Sequence, residues 1–207
     1  MNVIRKNLKW IILVLCLLVF INLATGVFHD DFMQIDIWGD EMASYLRCDF
    51  MTAIAKFITN FGGALCLVSI LVSSFIFFKN KKVGGLITLN LIIITVLNLV
   101  IKEIIHRPRP TGFRLIEEFG YSFPSGHSMV SGAFYGFIIY LVYKYVQDKK
   151  LKIFLIVSLS LLILLIGVSR IYLGVHYTTD VIGGFLISLA YLVIYTSIVM
   201  KFILKKD

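Results

Sequence analysis

The sequence predicts an all-α fold, a polytopic membrane helix bundle with about six transmembrane helices. Apolar residues make up 59% of the 207 residues and charged residues only 15%, with a mean hydropathy of +0.92. Soluble domains average about 25% charged residues. The apolar residues also fall in six long runs, and Lys and Arg gather in short groups between them. We expect a single membrane-integral domain over residues 1–207.

Each run approaches the roughly 20 apolar residues that a helix needs to cross the hydrocarbon core. The predicted spans are Trp10–Phe28, Ile58–Phe78, Val83–Ile101, Met129–Val146, Ile153–Gly174 and Val181–Leu204. The first run could instead be a signal peptide, because basic residues precede it. Its length, and the odd number of spans that would remain without it, favour a retained helix.

The basic residues indicate which side of the membrane each loop occupies. One side receives most of them: Arg5, Lys6, Lys9, Lys79, Lys81, Lys82, Lys144, Lys149, Lys150, Lys152, Lys201, Lys205 and Lys206. The positive-inside rule then predicts a multi-pass cell-membrane protein with both termini in the cytoplasm and three loops outside. Because these groups do not gather on one soluble face, nucleic acid is not an expected partner.

The first outer loop, residues 29–51, interleaves acids with apolar and aromatic residues. This pattern favours a segment that lies along the outer membrane interface. Its acids could instead bind a metal ion, but no EF-hand spacing is present. The three cysteines show no CxxC or Cys/His zinc spacing, so neither a disulfide framework nor a structural metal is expected.

Three polar clusters fall in the second and third outer loops, and charges kept beside the hydrocarbon are candidates for function. The first cluster is KEIIHRPRP, in which Lys102 and Arg109 form K-x6-R-P. Both side chains bind phosphate well, Arg through its fork and Lys as a point charge. A simple positive cap on a helix end is the alternative for this cluster taken alone.

The second cluster is PSGH at residues 124–127. Ser125 can cap the following helix, and Gly126 lets the backbone approach a ligand closely. A helix N-terminus of this kind binds anions. His127 would stand beside such an anion and could donate or accept a proton near neutral pH.

The third cluster, SRIYLGVHYTTD, contains Ser169, Arg170, His176 and Asp180. His176 and Asp180 are four residues apart, so they share a face if the chain is helical there. A carboxylate on one imidazole nitrogen fixes the tautomer and leaves the other as a nucleophile. The topology places all three clusters on one membrane face, which predicts an active site at the outer membrane interface.

The motifs K-x6-R-P, PSGH and S-R-x5-H-x3-D, in this order, resemble the tripartite signature of the type 2 phosphatidic acid phosphatase superfamily. The resemblance implies a metal-independent phosphoric ester hydrolase that needs no cofactor and works through a phosphohistidine. It would make His176 the nucleophile, Asp180 its orienting partner and His127 the general acid. The implied phosphate-binding residues are Lys102, Arg109, Ser125, Gly126 and Arg170.

The implied partner is a lipid phosphate within the bilayer, a phosphomonoester such as phosphatidylglycerophosphate or phosphatidic acid. Undecaprenyl pyrophosphate is the alternative substrate, because the motifs bind a phosphate without reporting which lipid carries it. The soluble vanadium haloperoxidases share the motifs, but six spans argue against them. A transporter or flippase of anionic lipids is the alternative from another class, and it would be expected to show paired broken helices or internal repeats.

Overall fold

A computed structural model describes residues 2–29, 34–77 and 81–202 of the chain. Within these ranges, all regular structure is helical. The helices are α1 Asn2–Phe28, α2 Gln34–Tyr45, α3 Asp49–Thr59, α4 Ala64–Phe77, α5 Lys81–Ile105, α6 Gly126–Tyr145, α7 Lys149–Tyr172 and α8 Thr178–Phe202, with a 3-10 turn at Asn60–Gly62. The predicted all-α class is therefore confirmed.

Four of the described helices are long and apolar enough to cross a membrane, namely α1 (over Asn7–Phe28), α5, α7 and α8 (over Thr178–Val199). They correspond to the first, third, fifth and sixth predicted spans. A fifth span is possible if α3, the 3-10 turn and α4 cross together, although they are bent by 50°. The prediction of a multi-pass helix bundle is confirmed, with four to five described spans in place of about six.

The second predicted span, Ile58–Phe78, is not one straight helix, and Phe78 lies outside the described residues. The bend follows from Gly63, whose extended backbone (ψ 154°) interrupts the helix after the 3-10 turn. A Cβ atom on Gly62 would lie 2.7 Å from Ile166 and 3.0 Å from His127. The bend therefore brings bare backbone against His127.

The fourth predicted span, Met129–Val146, corresponds to α6, which is not apolar enough to be counted with the others. The other helices enclose α6, which packs against α5, α7 and α8. Ser128, Ser131 and Gly132 all lie buried along it. A helix that is shielded from lipid by its neighbours can carry small and polar residues, and hydropathy alone then describes it poorly.

The site-bearing segments meet at one end of this bundle. Lys102 lies in the last turn of α5 and Arg170 in the last turn of α7, whereas Asp180 lies in the first turn of α8. The chain reverses direction between successive helices, so the C-terminal ends of α5 and α7 lie beside the N-terminal ends of α6 and α8. The loop of residues 106–125 connects α5 to α6 across this end.

Close packing of α8 on the start of α6 depends on Gly184. A Cβ atom there would lie 2.9 Å from the Ser125 carbonyl oxygen and 3.1 Å from the Met129 amide nitrogen. Backbone atoms inside a helix start cannot move aside as a flexible side chain can. Gly184 therefore sets the distance between α8 and the PSGH segment.

We predict that Gly184→Ala lowers the stability of the protein by about 1–3 kcal/mol, the usual cost of overpacking. Gly85→Ala is the matched control, because a Cβ atom at this α5 glycine meets nothing within 4 Å. It should be neutral or slightly stabilising, since Ala is the better helix former. Thermal unfolding midpoints in detergent measure both; equal midpoints for the two variants would contradict this packing.

Candidate active site

The structure brings residues of all three predicted clusters together. Arg109 Nη1 lies 3.2 Å from His176 Nε2, and His176 Nδ1 lies 3.3 Å from Asp180 Oδ2. His127, at the start of α6, interacts electrostatically with Arg170 and His176. The first, second and third clusters thus form one polar site.

The two neighbours of His176 fix the tautomer of its ring. The Asp180 carboxylate can only accept a hydrogen bond, so Nδ1 carries the proton. The Arg109 guanidinium can only donate, so Nε2 carries the lone pair. Burial lowers the pKa of His176 to about 4, although the hydrogen bond to Asp180 opposes this shift. The imidazole is therefore neutral near pH 7, with its lone pair turned towards a cation.

Asp180 is fully buried, and each carboxylate oxygen has its own partners. Oδ2 accepts from His176 and, at 2.9 Å, from the Tyr177 amide. Oδ1 accepts from Arg107 Nη1 at 2.6 Å. The carboxylate is thus held in one orientation by groups on both sides.

Arg170 and Arg109 share an acidic partner that the sequence analysis did not single out. Arg170 Nη2 donates to Glu118 Oε1, and Arg109 Nη2 lies 3.9 Å from Glu118 Oε2. Arg170 Nη1 also donates to Thr59 Oγ1 at 2.8 Å, from the end of α3. Burial alone would raise the pKa of Glu118. The positive charge and hydrogen bond of Arg170 have a larger effect, so the pKa of Glu118 is lowered overall. The Glu118 carboxylate is therefore the anionic partner of both guanidinium groups.

Arg109 and Lys102 also donate to backbone carbonyls of the 106–125 loop, and Arg109 Nη1 donates to the Val175 carbonyl at 3.0 Å. Arg109 donates from Nε to Gly120 at 3.0 Å and from Nη2 to Phe119 at 2.9 Å. Lys102 Nζ donates to the carbonyls of Tyr121 and Ser122. These cations are satisfied by groups that a ligand can replace without leaving a buried charge unpaired.

The PSGH segment forms the start of α6 as predicted. Ser125 is the N-cap and its Oγ accepts from the Ser128 amide at 3.4 Å, while its own amide donates to the Asp180 carbonyl at 3.0 Å. A Cβ atom on Gly126 would lie 3.1 Å from Asn98 Oδ1. Asn98 Nδ2 in turn donates to the Pro124 carbonyl at 3.2 Å. Asn98 is a further residue that the motifs did not reveal.

A cleft of about 410 Å³ reaches the site between α2 and the chain after Pro110. Its lining includes His176 and Tyr177, together with Asp40 of α2 and Thr111. The α2 helix, within the segment predicted to lie along the outer interface, therefore contributes to the approach to His176. Among the described residues, no group of three or more His, Cys, Asp or Glu side chains could hold a metal ion.

The comparisons with known proteins agree with this geometry. Residues 57–204 match the family model of the PAP2 superfamily, a range that contains every motif residue. The chain belongs to the PAP2 superfamily. It is a membrane-integral hydrolase of phosphoric esters, so the predicted family and the predicted enzyme class are confirmed.

Two curated relatives are lipid phosphatases by name. Phosphatidylglycerophosphatase B of Bacillus subtilis (strain 168) is 35% identical over 178 residues, which cover 83% of this chain and 87% of the relative. Undecaprenyl-diphosphatase of Sulfolobus acidocaldarius is 27% identical over 191 residues, which cover 88% of this chain and 87% of the relative. The chain is thus similar to two phosphatases whose named substrates differ.

A solved structure confirms the fold. The crystal structure of the transmembrane PAP2 type phosphatidylglycerolphosphate phosphatase from Bacillus subtilis superposes with a TM-score of 0.83 at 31% identity. The match covers 92% of this chain and 96% of that one. The chain is therefore similar to bacterial phosphatidylglycerophosphate phosphatases in both sequence and fold.

Proposed function

We propose that the chain removes a terminal phosphate from a lipid phosphomonoester through a phosphohistidine on His176. The observation that carries this proposal is the lone pair of His176 Nε2, which faces Arg109 while Asp180 holds the opposite nitrogen. A neutral, oriented imidazole beside a guanidinium is a nucleophile placed where a phosphate would bind. Phosphatidylglycerophosphate is the proposed substrate and phosphatidic acid a second one.

In the first step, the His176 Nε2 lone pair forms a bond to phosphorus as the bond from phosphorus to the lipid oxygen breaks. Burial lowers the pKa of His127 to about 3, so this ring would take up its proton only beside the bound phosphate anion. His127 then gives that proton to the leaving oxygen, and the lipid leaves as an alcohol. In the second step His127 takes a proton from water, whose oxygen attacks phosphorus and displaces His176. Inorganic phosphate is released and both histidines return to their starting state.

Charge stabilisation comes from the cations around the site, which neutralise the phosphate oxygens without a metal ion. Arg109 and Arg170 are proposed to supply guanidinium forks and Lys102 a point charge. The amides at the start of α6, after Ser125 and at Gly126, add backbone donors of the kind that bind anions. These groups would exchange their present carbonyl and carboxylate partners for phosphate oxygens.

The relatives support the choice of substrate. The higher identity, 35%, is to a protein named for phosphatidylglycerophosphate, whereas the undecaprenyl-diphosphatase is 27% identical. Undecaprenyl pyrophosphate is kept as the alternative substrate, because both relatives align over most of the chain. A transporter is not favoured, since the described part of the chain contains one bent helix pair and not two.

We also propose that the site faces the outside of the cell and that both termini lie in the cytoplasm. The site residues occupy one end of α5, α6, α7 and α8. The opposite ends of α6 and α7 carry Lys144, Lys149, Lys150 and Lys152. Basic residues are retained on the cytoplasmic side, so the end that bears the site is assigned to the other.

We predict that His176→Ala lowers phosphate release from phosphatidylglycerophosphate by about 10⁴-fold or more, because the covalent route is lost. Asp180→Asn should be less severe, since it keeps the shape of the carboxylate. His29→Ala, at an exposed position after α1, is the control and should retain wild-type activity. Rapid quenching should recover an acid-labile phosphoprotein from the wild type and from the His29→Ala control, but not from His176→Ala. Wild-type turnover in His176→Ala would exclude this nucleophile.

We predict that Glu118→Gln tightens the binding of inorganic phosphate by about fivefold, the equivalent of about 1 kcal/mol. The variant removes an anion that competes for Arg170 and Arg109. Glu117→Gln is the matched control, because Glu117 is the exposed neighbour. The measurement is the inhibition constant of phosphate in the hydrolysis assay. An unchanged or weaker constant in Glu118→Gln than in the control would show that Glu118 does not compete with the ligand.

The sidedness can be tested with single cysteines at Thr111 and Gln147, in a protein that lacks Cys16, Cys48 and Cys66. Both positions are exposed, Thr111 beside the site and Gln147 in the α6–α7 loop. An impermeant thiol reagent added to intact cells without an outer-membrane barrier should label position 111 and spare position 147. The reverse pattern would place the site on the cytoplasmic leaflet.

A further inference from the structure

A buried ion network lies behind the His176–Asp180 pair, on the side away from the cations proposed to bind phosphate. Arg107 Nη1 donates to Asp180 Oδ1 at 2.6 Å, and its Nη2 donates to Asp36 Oδ2 at 2.8 Å. All three side chains are buried, with Asp180 at 0% exposure, Asp36 at 4% and Arg107 at 8%. One buried guanidinium thus joins two buried carboxylates.

The charge of Arg107 is fully committed to this network. Its Nη1 also donates to Thr179 Oγ1 at 2.7 Å, and its Cζ lies 4.0 Å from the centre of the Tyr177 ring. Arg109 and Arg170 differ from it, because their partners include the carboxylate of Glu118, which is partly exposed. Arg107 is therefore built to hold protein groups and not to receive a ligand.

Asp36 fixes the start of α8 from a different helix. Its Oδ1 accepts from the Thr179 amide at 2.7 Å, and its Oδ2 accepts from Thr179 Oγ1 at 2.8 Å. Amides in the first turn of a helix have no partner within the helix, so a carboxylate there acts as a cap. Thr179 directly precedes Asp180. The cap therefore fixes the backbone that carries the partner of His176.

The approach of α2 to α8 depends on a missing side chain. A Cβ atom on Gly39 would collide with the Thr178 side chain and lie 3.5 Å from Ile171. Gly39 is one turn after Asp36 on the same side of α2. The helix is thus shaped to bring Asp36 into reach of Thr179 and Arg107.

We infer that Arg107 and Asp36 are positioning residues for the reaction, which hold the Asp180 carboxylate in the orientation that aligns His176. This inference rests on the proposed role of His176 as nucleophile. Without the Arg107 fork, the buried Asp180 Oδ1 would lose its charged donor, and the carboxylate could rotate away from the imidazole. Neither Arg107 nor Asp36 is proposed to touch the substrate.

The test separates positioning from phosphate binding. Arg107→Gln and Asp36→Asn should each lower kcat for phosphatidylglycerophosphate in mixed micelles, by about 10²-fold for Arg107→Gln, the cost of a misaligned reacting group. The inhibition constant of inorganic phosphate should stay within about twofold of wild type, because Arg109, Arg170 and Lys102 are untouched. Arg107→Lys, which retains the charge without the fork, should restore part of kcat.

Matched controls come from exposed charged residues of neighbouring segments. Asp49→Asn lies in the first turn of α3, where the side chain is exposed and does not line the cleft. Arg114→Gln lies in the 106–125 loop, where the exposed side chain donates to the Pro110 carbonyl. Both controls should keep wild-type kcat. Should Arg107→Gln fail to fold, Asp36→Asn provides the same measurement with almost no change in volume.

A double-mutant cycle decides whether Arg107 acts through Asp180. In an Asp180→Asn background, Arg107→Gln should reduce kcat by no more than about twofold, because there is no carboxylate left to orient. A full additional loss in that background would overturn the inference, as would a wild-type kcat in Arg107→Gln alone. Weaker inhibition of Arg107→Gln by inorganic phosphate would also overturn it, because Arg107 would then contribute to phosphate binding. Turnover that persists in His176→Ala would instead remove the proposed function itself.

Discussion

The Arg107 guanidinium, held between Asp36 and Asp180, is the contact on which the arrangement of the site depends. It joins α2, the chain after α5 and the start of α8 through hydrogen bonds of 2.6 Å to Asp180 and 2.8 Å to Asp36. Removing an ion from water costs several kcal/mol unless good partners replace the solvent. Each of these three segments must therefore keep its position if the buried charges of the other two are to be satisfied.

The same constraint shapes the 106–125 loop. Lys102 and Arg109 use carbonyls of residues 119–122, and the Ser122 amide donates to the Arg107 carbonyl at 2.8 Å. The Leu115 amide is bonded to the Leu173 carbonyl at 3.0 Å, close to the end of α7. The loop thus supplies carbonyl acceptors to Lys102 and Arg109. A ligand that replaced these carbonyls would therefore change the contacts that hold the loop.

Much of this architecture could be predicted from the sequence, because hydropathy and motif order are local signals. The helices with lipid-facing surfaces and the eight residues assigned to the site follow from such signals. The partners that hold the site do not. Arg107 and Asp36 are 71 residues apart, and Arg170 and Thr59 are 111 apart. Contacts between residues so far apart leave no periodic pattern in a single sequence. The helix α6, which its neighbours enclose, is also less apolar than a lipid-exposed span.

The charges of the site also bear on which phosphates it can accept. Among the described residues, four cations (Lys102, Arg107, Arg109 and Arg170) meet three carboxylates (Asp36, Glu118 and Asp180). If a bound phosphate displaced Glu118 from Arg170 and Arg109, two positive charges would remain uncompensated. A phosphomonoester near neutral pH carries close to two negative charges, whereas a phosphodiester carries one. Under the proposed function, electroneutrality would therefore favour a terminal phosphate over the diester linkages of the surrounding phospholipids.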